Sequence, residues 1–248
     1  HVSNATVKIV NGSAVSKQKS PDKERIVKRP TNHIEIAREA AFLSALSMFG
    51  YDNKKAVPDN DQRTGALVMR RIKGKDLFQL LDEGVKFSAD QMIELTIMMA
   101  EAIDKIHAAG IIHRDIKPEN FMVEIDKDNN PIKVIPLDFD LSKFNGEKGV
   151  IERNIGTSKP VDYRAPEIKL NHDAYSNEKS DAYSFTVMLD KIIWRHGLFQ
   201  KFDGLNRTET KSIKRVIKRG LEKKDGKRAT VGEIAQEFKE IQKSRSLK

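Results

Sequence analysis

The sequence lacks cysteine altogether. A chain without thiols forms no disulfides, offers no cysteine ligands to zinc and has no thiol nucleophile. Small folds that depend on disulfides and thiol-based enzymes are therefore excluded. A cysteine-free composition is typical of reducing compartments, so we expect a cytoplasmic protein.

Long apolar runs are missing as well. No stretch of the sequence approaches the roughly 18 apolar residues that a membrane-spanning helix requires. The N-terminus also lacks the basic-then-apolar order of a secretory signal peptide. We therefore expect no transmembrane segment.

The chain does contain enough apolar sequence for a large core, with 38% hydrophobic residues over 248 positions. Strand-like runs at Val7–Val10 and Arg25–Lys28, with one helical pattern at Glu35–Met48, make the N-terminal part β-rich. Further on, Ser88 is a candidate cap for a helix that runs to about Ala109, and the C-terminal patterns are mainly helical. This order predicts an α+β fold with two lobes and a cleft between them.

The most informative segment is the loop that ends at Asn120, directly after the long helical pattern. It places a carboxylate at Asp115, an ammonium group at Lys117 and an amide at Asn120. Phosphoryl transfer needs these groups, because the hydroxyl requires a proton acceptor, the phosphate a cation and the metal an oxygen ligand. The segment therefore predicts phosphoryl-transfer chemistry.

This loop resembles the catalytic loop of protein kinases, through His113-Arg114-Asp115, Lys117 and Asn120. Lys117 is similar to the Ser/Thr-specific version. The resemblance implies a bilobal kinase fold, with a small β-rich N-lobe that contains one key helix and a larger, mainly helical C-lobe. It also implies ATP and Mg²⁺ (or Mn²⁺) as cofactors, and a protein substrate whose Ser/Thr hydroxyl receives the γ-phosphate. Asp115 would orient the hydroxyl and accept its proton, Lys117 would balance phosphate charge, and Asn120 would bind the metal.

A second segment, Leu137-Asp138-Phe139-Asp140, resembles the Asp-Phe-Gly element of the same family. The resemblance makes Asp138 a ligand of the metal that bridges the phosphates. Asp140 stands where the family has glycine, which removes a permissive backbone position. Its carboxylate either caps the next turn or reaches the metal.

Later segments resemble structural elements of the kinase C-lobe. Gly156-Thr157 is similar to the end of the activation segment, and the resemblance makes Thr157 a neighbour of the catalytic loop. It also implies that Glu167 pairs with a buried arginine, for which Arg228 is the candidate, and that Asp181 anchors the backbone of the catalytic loop.

The N-terminal part departs most from the family pattern. Lys28 resembles the lysine that positions the phosphates, and Glu39 resembles its ion-pair partner on the key helix. No intact G-x-G-x-x-G precedes Lys28, and Gly12 is the single glycine of the candidate phosphate loop. Backbone amides around Gly12 would cap a phosphate less closely than a glycine-rich loop does.

The segment around residues 67–74 resembles the hinge between the kinase lobes. The resemblance makes Met69, Arg70 and Ile72 adenine-binding residues, because the hinge backbone pairs with the base, and it places Met122 beneath the base. The hinge thereby divides the chain.

Residues 1–72 would form the N-lobe, with the hinge at its end, and residues 73–248 the C-lobe. The compact N-lobe and the weak phosphate loop are similar to the small divergent kinases that bacterial pathogens export into host cells. A protein of that kind would act in the host-cell cytoplasm.

The net charge of +9 is unevenly distributed. Residues 211–228 carry nine basic residues and two acidic ones. A polyanion is a natural partner for such a segment, either an inositol phosphate, a phosphoinositide membrane surface or nucleic acid. The alternative is a solvated helix face whose charge is balanced by acidic residues elsewhere.

Two other functions remain open from the sequence. The weak phosphate loop and Asp140 are compatible with a pseudokinase, which would bind nucleotide or a polyanion as a scaffold without efficient transfer. The complete set of Lys28, Glu39, Asp115, Asn120 and Asp138 favours an enzyme, since a scaffold has no chemical need for those groups. A small-molecule kinase of related fold is a third reading, which the segment from Tyr163 to Glu167 disfavours.

Overall fold

The architecture comes from a computed structural model of the chain. It describes the backbone of residues 7–10, 13–16, 25–28, 33–47, 57–58, 67–70, 72–147, 163–170, 176–194 and 204–247. Side chains are described for residues 38–47, 72–147, 163–168, 176–191 and 204–247. The chain divides into two compact units, His1–Ile72 and Lys73–Lys248, which we refer to as unit 1 and unit 2.

The described part of unit 1 consists of short antiparallel strands and one helix. Its strands are β1 (Val7–Val10), β2 (Ser13–Ser16), β3 (Arg25–Lys28), β4 (Val57–Pro58) and β5 (Leu67–Arg70). Strands β1 and β2 pair as a hairpin, and β5 lies between β3 and β4. Helix α1 spans His33–Ser47, within two residues of the start and end that the apolar spacing predicts.

The central element of unit 2 is a long helix. A short helix α2 (Leu77–Asp82) precedes α3 (Ala89–Ala108), which begins with a capping box at Ser88. The Ser88 hydroxyl accepts a hydrogen bond from the Gln91 backbone N–H at 3.3 Å, and the Gln91 side chain accepts one from the Ser88 N–H at 2.8 Å. The chain leaves the helix at Gly110, whose φ of +72° suits glycine. The predicted cap and end of this helix are confirmed.

Five short strands of unit 2 frame the segments that resemble kinase motifs. They are β6 (Lys75–Asp76), β7 (Ile111–Ile112), β8 (Phe121–Ile125), β9 (Pro131–Pro136) and β10 (Lys143–Phe144). One antiparallel sheet has the order β6-β8-β9, and β7 pairs with β10. Gly74 approaches β8 so closely that a Cβ atom at this position would clash with the carbonyl oxygen of Val123.

The C-terminal half is mainly helical, and several of its helices share one apolar core with α3. These helices are α4 (Pro166–Leu170), α5 (Glu178–Met188), which continues as π-helix over Leu189–Trp194, α6 (Arg207–Gly220) and α7 (Val231–Ser246). Buried side chains such as Phe185 of α5, Val216 of α6 and Phe238 of α7 join Ile103 of α3 in this core. Burial of this apolar surface is the main stabilising contribution to unit 2.

Helices and small antiparallel sheets together agree with the α+β class that the sequence predicts. Within the ranges described above, no helix combines the length and the apolar character that crossing a bilayer would require.

Candidate active site

The predicted catalytic loop lies between β7 and β8 and is held by a buried carboxylate. Asp181, in the first turns of α5, is 1% exposed. Its Oδ2 accepts a hydrogen bond from the His113 N–H at 2.7 Å, and its Oδ1 accepts one from the Arg114 N–H at 2.8 Å. The prediction that Asp181 anchors the loop backbone is therefore confirmed.

The charge of Asp181 is maintained despite its burial. Burial alone would favour the neutral acid. The Nε2 of His107 lies 3.0 Å from Asp181 Oδ2, and this contact, together with the backbone N–H of Arg114, holds the pKa of Asp181 below its ordinary value. A charged carboxylate accepts stronger hydrogen bonds than a neutral one, which fixes the loop more firmly.

Two residues of the candidate site, one in the catalytic loop and one in the segment around Phe139, adopt an unusual backbone conformation. Arg114 has a φ of +68° and Asp138 a φ of +62°. Residues with side chains rarely occupy this left-handed region, because it costs roughly 1–2 kcal/mol per residue. Such conformations tend to persist where surrounding structure fixes them, and they cluster at functional sites.

His113 links the catalytic loop to the segment around Asp138. Its Nδ1 accepts a hydrogen bond from the Asp115 N–H at 3.3 Å, so the ring proton resides on Nε2. Nε2 then donates to the carbonyl oxygen of Leu137 at 2.9 Å. The His113 ring also packs against Phe139, with 4.9 Å between ring centroids. These contacts fix both segments relative to each other.

Asp115, Lys117 and Asn120 form one hydrogen-bonded group. The Lys117 ammonium binds Asp115 Oδ2, and Asn120 Nδ2 donates to the same oxygen at 2.9 Å and to the Asp115 carbonyl at 2.8 Å. Among the described residues, every side-chain hydrogen bond to the Asp115 carboxylate is made to Oδ2. Oδ1 therefore retains its capacity as an acceptor, and the side chain is 23% exposed.

The orientation of the Asn120 amide suits a metal ligand. Both partners of its Nδ2 are oxygen atoms, so the atom that faces them must be the NH₂ group. The amide oxygen consequently points away from Asp115. Amide and carboxylate oxygens are the ligands that Mg²⁺ prefers. Asn120 thus fits the family's metal, and Asp138 supplies a carboxylate of the same class.

Asp140 brings a second carboxylate to the same segment. Oxygen atoms of Asp138 and Asp140 approach within 4.8 Å of each other. The Asp140 side chain is mostly buried, with 9% exposure. The role of Asp140, as a cap of the next turn or as a metal ligand, stays a prediction.

A basic group lies beside the loop. Lys143 on β10 is mostly buried, and this burial, together with the nearby positive charge of Arg114, lowers the pKa of the lysine.

The neighbouring Ser142 is buried as well, and it donates its hydroxyl hydrogen to the His113 carbonyl at 3.2 Å. Ser142 therefore has a structural contact that ties β10 to the catalytic loop.

Arg228 and Glu167 form the ion pair that the resemblance implies. The guanidinium makes two parallel hydrogen bonds to the carboxylate, of 2.7 and 3.0 Å, and its remaining donors reach backbone carbonyls of Lys179, Glu222 and Lys223. Arg228 also packs over the ring of Tyr183, 4.9 Å from its centroid. Burial would raise the pKa of Glu167, but the Arg228 pair lowers it below its ordinary value. This prediction is confirmed.

Several predicted site residues belong to unit 1 or lie outside the described residues. Lys28 ends β3, and Met69 and Arg70 lie on β5, where the register pairs Met69 with Ile26; their side chains are not among those described. Gly12 and Thr157 are outside the described residues. Glu39 lies in α1 and is buried.

Ile72, the last residue of unit 1, is partly exposed. Met122 lies on β8 of unit 2, paired with Ile135 of β9 and with Asp76 of β6. Adenine binding by these residues stays a prediction.

One contributor to the site escaped the sequence reasoning. His107 faces inward on α3 and contacts Asp181, yet as a lone histidine near the end of a helix it carries no pattern of its own. Its position on the buried face, one turn after Ile103, is the only signal, and that signal indicates burial without function.

The comparisons with known proteins agree with this geometry. Residues 3–245 match the family described as Protein kinase domain. Calcium-dependent protein kinase 7 of Oryza sativa subsp. japonica is 32% identical over 157 residues, which are 62% of this chain and 27% of that protein. Serine/threonine-protein kinase pkn3 of Myxococcus xanthus is 29% identical over 164 residues, 64% of this chain and 29% of that protein.

A probable serine/threonine-protein kinase of Streptomyces coelicolor is 29% identical over 176 residues, 68% of this chain and 24% of that protein. The matched region thus spans only about a quarter of the length of these relatives. A family match over nearly the whole chain, with the motifs assembled as described, establishes that the chain belongs to the protein kinase family.

Proposed function

We propose that the chain is the catalytic domain of a Ser/Thr protein kinase, which transfers the γ-phosphate of ATP to a protein hydroxyl. The observation that carries this proposal is the arrangement of Asp115. Lys117 and Asn120 occupy its Oδ2, while its Oδ1 retains acceptor capacity on a partly exposed side chain. A carboxylate held in this way can receive the hydroxyl of a substrate without reorienting.

The chemistry follows from the roles of these side chains. Asp115 Oδ1 accepts the hydrogen bond of the substrate hydroxyl and takes its proton late in the transfer. Lys117 is an ammonium group beside that carboxylate, and it offsets negative charge that develops on the transferred group. Asn120 and Asp138 would hold Mg²⁺ or Mn²⁺, which neutralises phosphate charge when bound.

Unit 1 supplies the remaining nucleotide contacts in this proposal, as the N-lobe, and unit 2 is the C-lobe. Lys28 pairs with the phosphates, and Glu39 orients Lys28. Backbone groups near Gly12 cap a phosphate. The adenine is bound by Met69, Arg70 and Ile72 of unit 1 and by Met122 of unit 2. The family match over residues 3–245 supports these assignments, since it includes both units.

Preference for Ser/Thr over Tyr substrates rests on Lys117. The bacterial relatives are named as serine/threonine-protein kinases, which supports the same preference here. We further propose Thr157 as a neighbour of Asp115 and Lys117 in substrate selection.

A pseudokinase is the second candidate function. The single Gly12 in the phosphate loop and the additional carboxylate of Asp140 favour it. Phosphate transfer by the intact chain would exclude this alternative. The same assay with small hydroxyl acceptors distinguishes a small-molecule kinase from a protein kinase.

Partners and location extend the proposal. We propose a polyanion as a binding partner of residues 211–228, of the inositol phosphate, phosphoinositide or nucleic acid type, because of the charge of this segment. We also propose a cytoplasmic location, in the host cell if the protein is a bacterial effector.

The decisive experiment measures transfer of labelled phosphate from ATP to the chain itself and to generic basic proteins, with Mg²⁺ or Mn²⁺. Asp115→Asn and Asp138→Ala should each abolish the label, while Asp128→Ala, at an exposed turn between β8 and β9, should not. Thermal stabilisation by ATP and Mg²⁺ is measured in parallel. Stabilisation without any label in the intact chain would refute the enzyme and favour the scaffold.

A further inference from the structure

Three lysines of α6 form an exposed stripe that faces away from the core. Lys211, Lys214 and Lys218 are all exposed and recur at spacings of three and four, which places them on one face of the helix. The residues that α6 buries, such as Ile213, Val216 and Ile217, lie on the opposite face. The three ammonium groups therefore project into solvent.

The neighbouring arginines of α6 have acidic partners. Arg215 pairs with Glu237 of α7 at 3.1 Å, and Arg219 pairs with the same carboxylate and with Glu233 at 3.5 Å. Among the residues with described side chains, no carboxylate lies within ion-pair distance of the three lysines. The sequence does not distinguish these cations from one another. In the fold, acidic residues of α7 neutralise the two arginines, whereas the three lysines have no acidic partner among the described side chains.

The loop after α6 extends this charge. Its exposed lysines are Lys223, Lys224 and Lys227. We name the six lysines of α6 and this loop the lysine surface. The acidic residues of the same segment are Glu222 and Asp225, so the lysine surface keeps an excess of four positive charges.

We propose that the lysine surface binds the face of an anionic lipid bilayer. The six lysines are distributed along the outer side of α6 and over the loop that follows it, so an extended layer of phosphates can contact them at several points. A small polyphosphate would contact only part of a set of six lysines that extends from α6 into the following loop. No aromatic residue lies within residues 211–228, so base stacking has no platform there.

Lysine is well suited to this kind of contact. Its ammonium group is a compact, hydrated point charge on a flexible stem, and it does not demand the bidentate geometry that arginine prefers. Each lysine near an anionic membrane contributes about 1 kcal/mol, which corresponds to roughly a fivefold change in partition. The attraction decays over a Debye length of about 10 Å at 0.1 M salt, so it should weaken as salt is raised.

Co-sedimentation of the full chain with vesicles tests this proposal. Vesicles of phosphatidylcholine alone are compared with vesicles of equal parts phosphatidylcholine and phosphatidylserine. The triple variant Lys211→Gln, Lys214→Gln, Lys218→Gln should lower partition onto the vesicles that contain phosphatidylserine about a hundredfold, at roughly fivefold per lysine. Glutamine retains helix propensity at exposed positions, so the variant should fold, and its thermal melt verifies this.

A matched variant separates this surface from total charge. Lys86→Gln, Lys105→Gln, Lys127→Gln removes the same charge from exposed lysines elsewhere in unit 2 and should retain most of the binding. An equal loss in this variant, or unchanged binding in the first one, would overturn the proposal.

Two soluble polyanions test whether the lysine surface binds a free ligand instead of a bilayer. Excess inositol hexakisphosphate or double-stranded DNA is added to the chain without vesicles, and binding is measured directly. Binding of either one that depends on the three α6 lysines, with no partition onto anionic vesicles, would replace the bilayer by that ligand. None of these readouts depends on phosphate transfer, so failure here leaves the proposed kinase function untouched.

Discussion

Arg228 and Lys218 belong to one basic run of the sequence, yet the fold treats them in opposite ways. Arg228 is 1% exposed, forms a bidentate pair with Glu167 and uses its other donors on backbone carbonyls. Lys218 is exposed, with no ion pair among the described residues. Removal of a buried cation leaves its partner charge uncompensated and is costly, whereas removal of an exposed cation without an ion pair costs little, and such a cation is available for a partner.

Substitutions of the buried charged residues should have the largest effects on phosphate transfer and on the free energy of unfolding. Asp181→Asn replaces an acceptor by an NH₂ group that must face a backbone N–H or His107. The catalytic loop should shift, and a displacement of about 1 Å can lower a rate by roughly a hundredfold. Phosphate transfer at saturating ATP measures this loss.

The control for this variant is Asp128→Asn, an isosteric change at an exposed turn. It should leave the rate unchanged. If Asp181→Asn transfers phosphate as fast as the unaltered chain, the buried anchor has no part in catalysis.

Arg228→Met tests the same contrast through stability. Methionine fills a similar volume, but Glu167 loses its bidentate partner, and the three hydrogen bonds from the guanidinium to backbone carbonyls of Lys179, Glu222 and Lys223 disappear. Breaking a buried pair typically costs about 3–5 kcal/mol, and the partial exposure of Glu167 favours the lower end. Urea denaturation of the two chains measures the difference.

Arg215→Met is the matched change on the surface. The Arg215 side chain is 67% exposed, and such pairs contribute roughly 0–1 kcal/mol. Equal destabilisation by the two variants would remove the distinction between buried and exposed arginines in this segment.

The pH dependence of stability should also distinguish the buried Arg228–Glu167 pair from the exposed lysines of α6. The pKa of Glu167 lies below its ordinary value of 4.5 in the folded chain. The unfolded chain therefore takes up this proton at a higher pH than the folded chain does. Stability from the pair is complete above pH 4.5 and is lost as the pH falls through the lower, folded pKa.

Urea denaturation at a series of acidic pH values measures this effect. Arg228→Met should flatten the acid limb of the stability curve relative to the unaltered chain, whereas Lys218→Gln should leave its slope unchanged. An identical acid limb in all three chains would show that Glu167 titrates normally.

Local signals in the sequence predicted much of the C-terminal unit. The start of α3 followed from Ser88 and its end from Gly110, because cap chemistry is encoded within a few residues. The partners of Asp181 and Arg228 followed from family resemblance, since contacts between residues 61 or 68 positions apart leave no local pattern. For the same reason His107 was missed.

Charge distribution shows most clearly where sequence reasoning ends. The sequence identifies a run of cations in residues 211–228, but α7 decides which of them are neutralised. Glu237 meets Arg215 and Arg219 only because α6 and α7 pack side by side. The lysine surface is therefore a property of tertiary structure, and no pattern in the sequence separates its members from their neighbours.

The smallest effect expected is a gain in stability on the lysine surface itself. Lys214 lies one turn from Lys211 and from Lys218, and like charges at this spacing destabilise a helix by roughly 0.2–0.5 kcal/mol per pair. Lys214→Glu replaces this repulsion by attraction and places a glutamate four residues before Lys218, the favourable order. Two repulsions are removed and two attractions are gained, so the unfolding free energy should rise by roughly 1 kcal/mol, while partition onto anionic vesicles falls. A stability gain with a binding loss would mean that the exposed lysines are retained at a cost to the fold. A loss of stability would instead make the lysine stripe structural, and the contrast with Arg228 would fail.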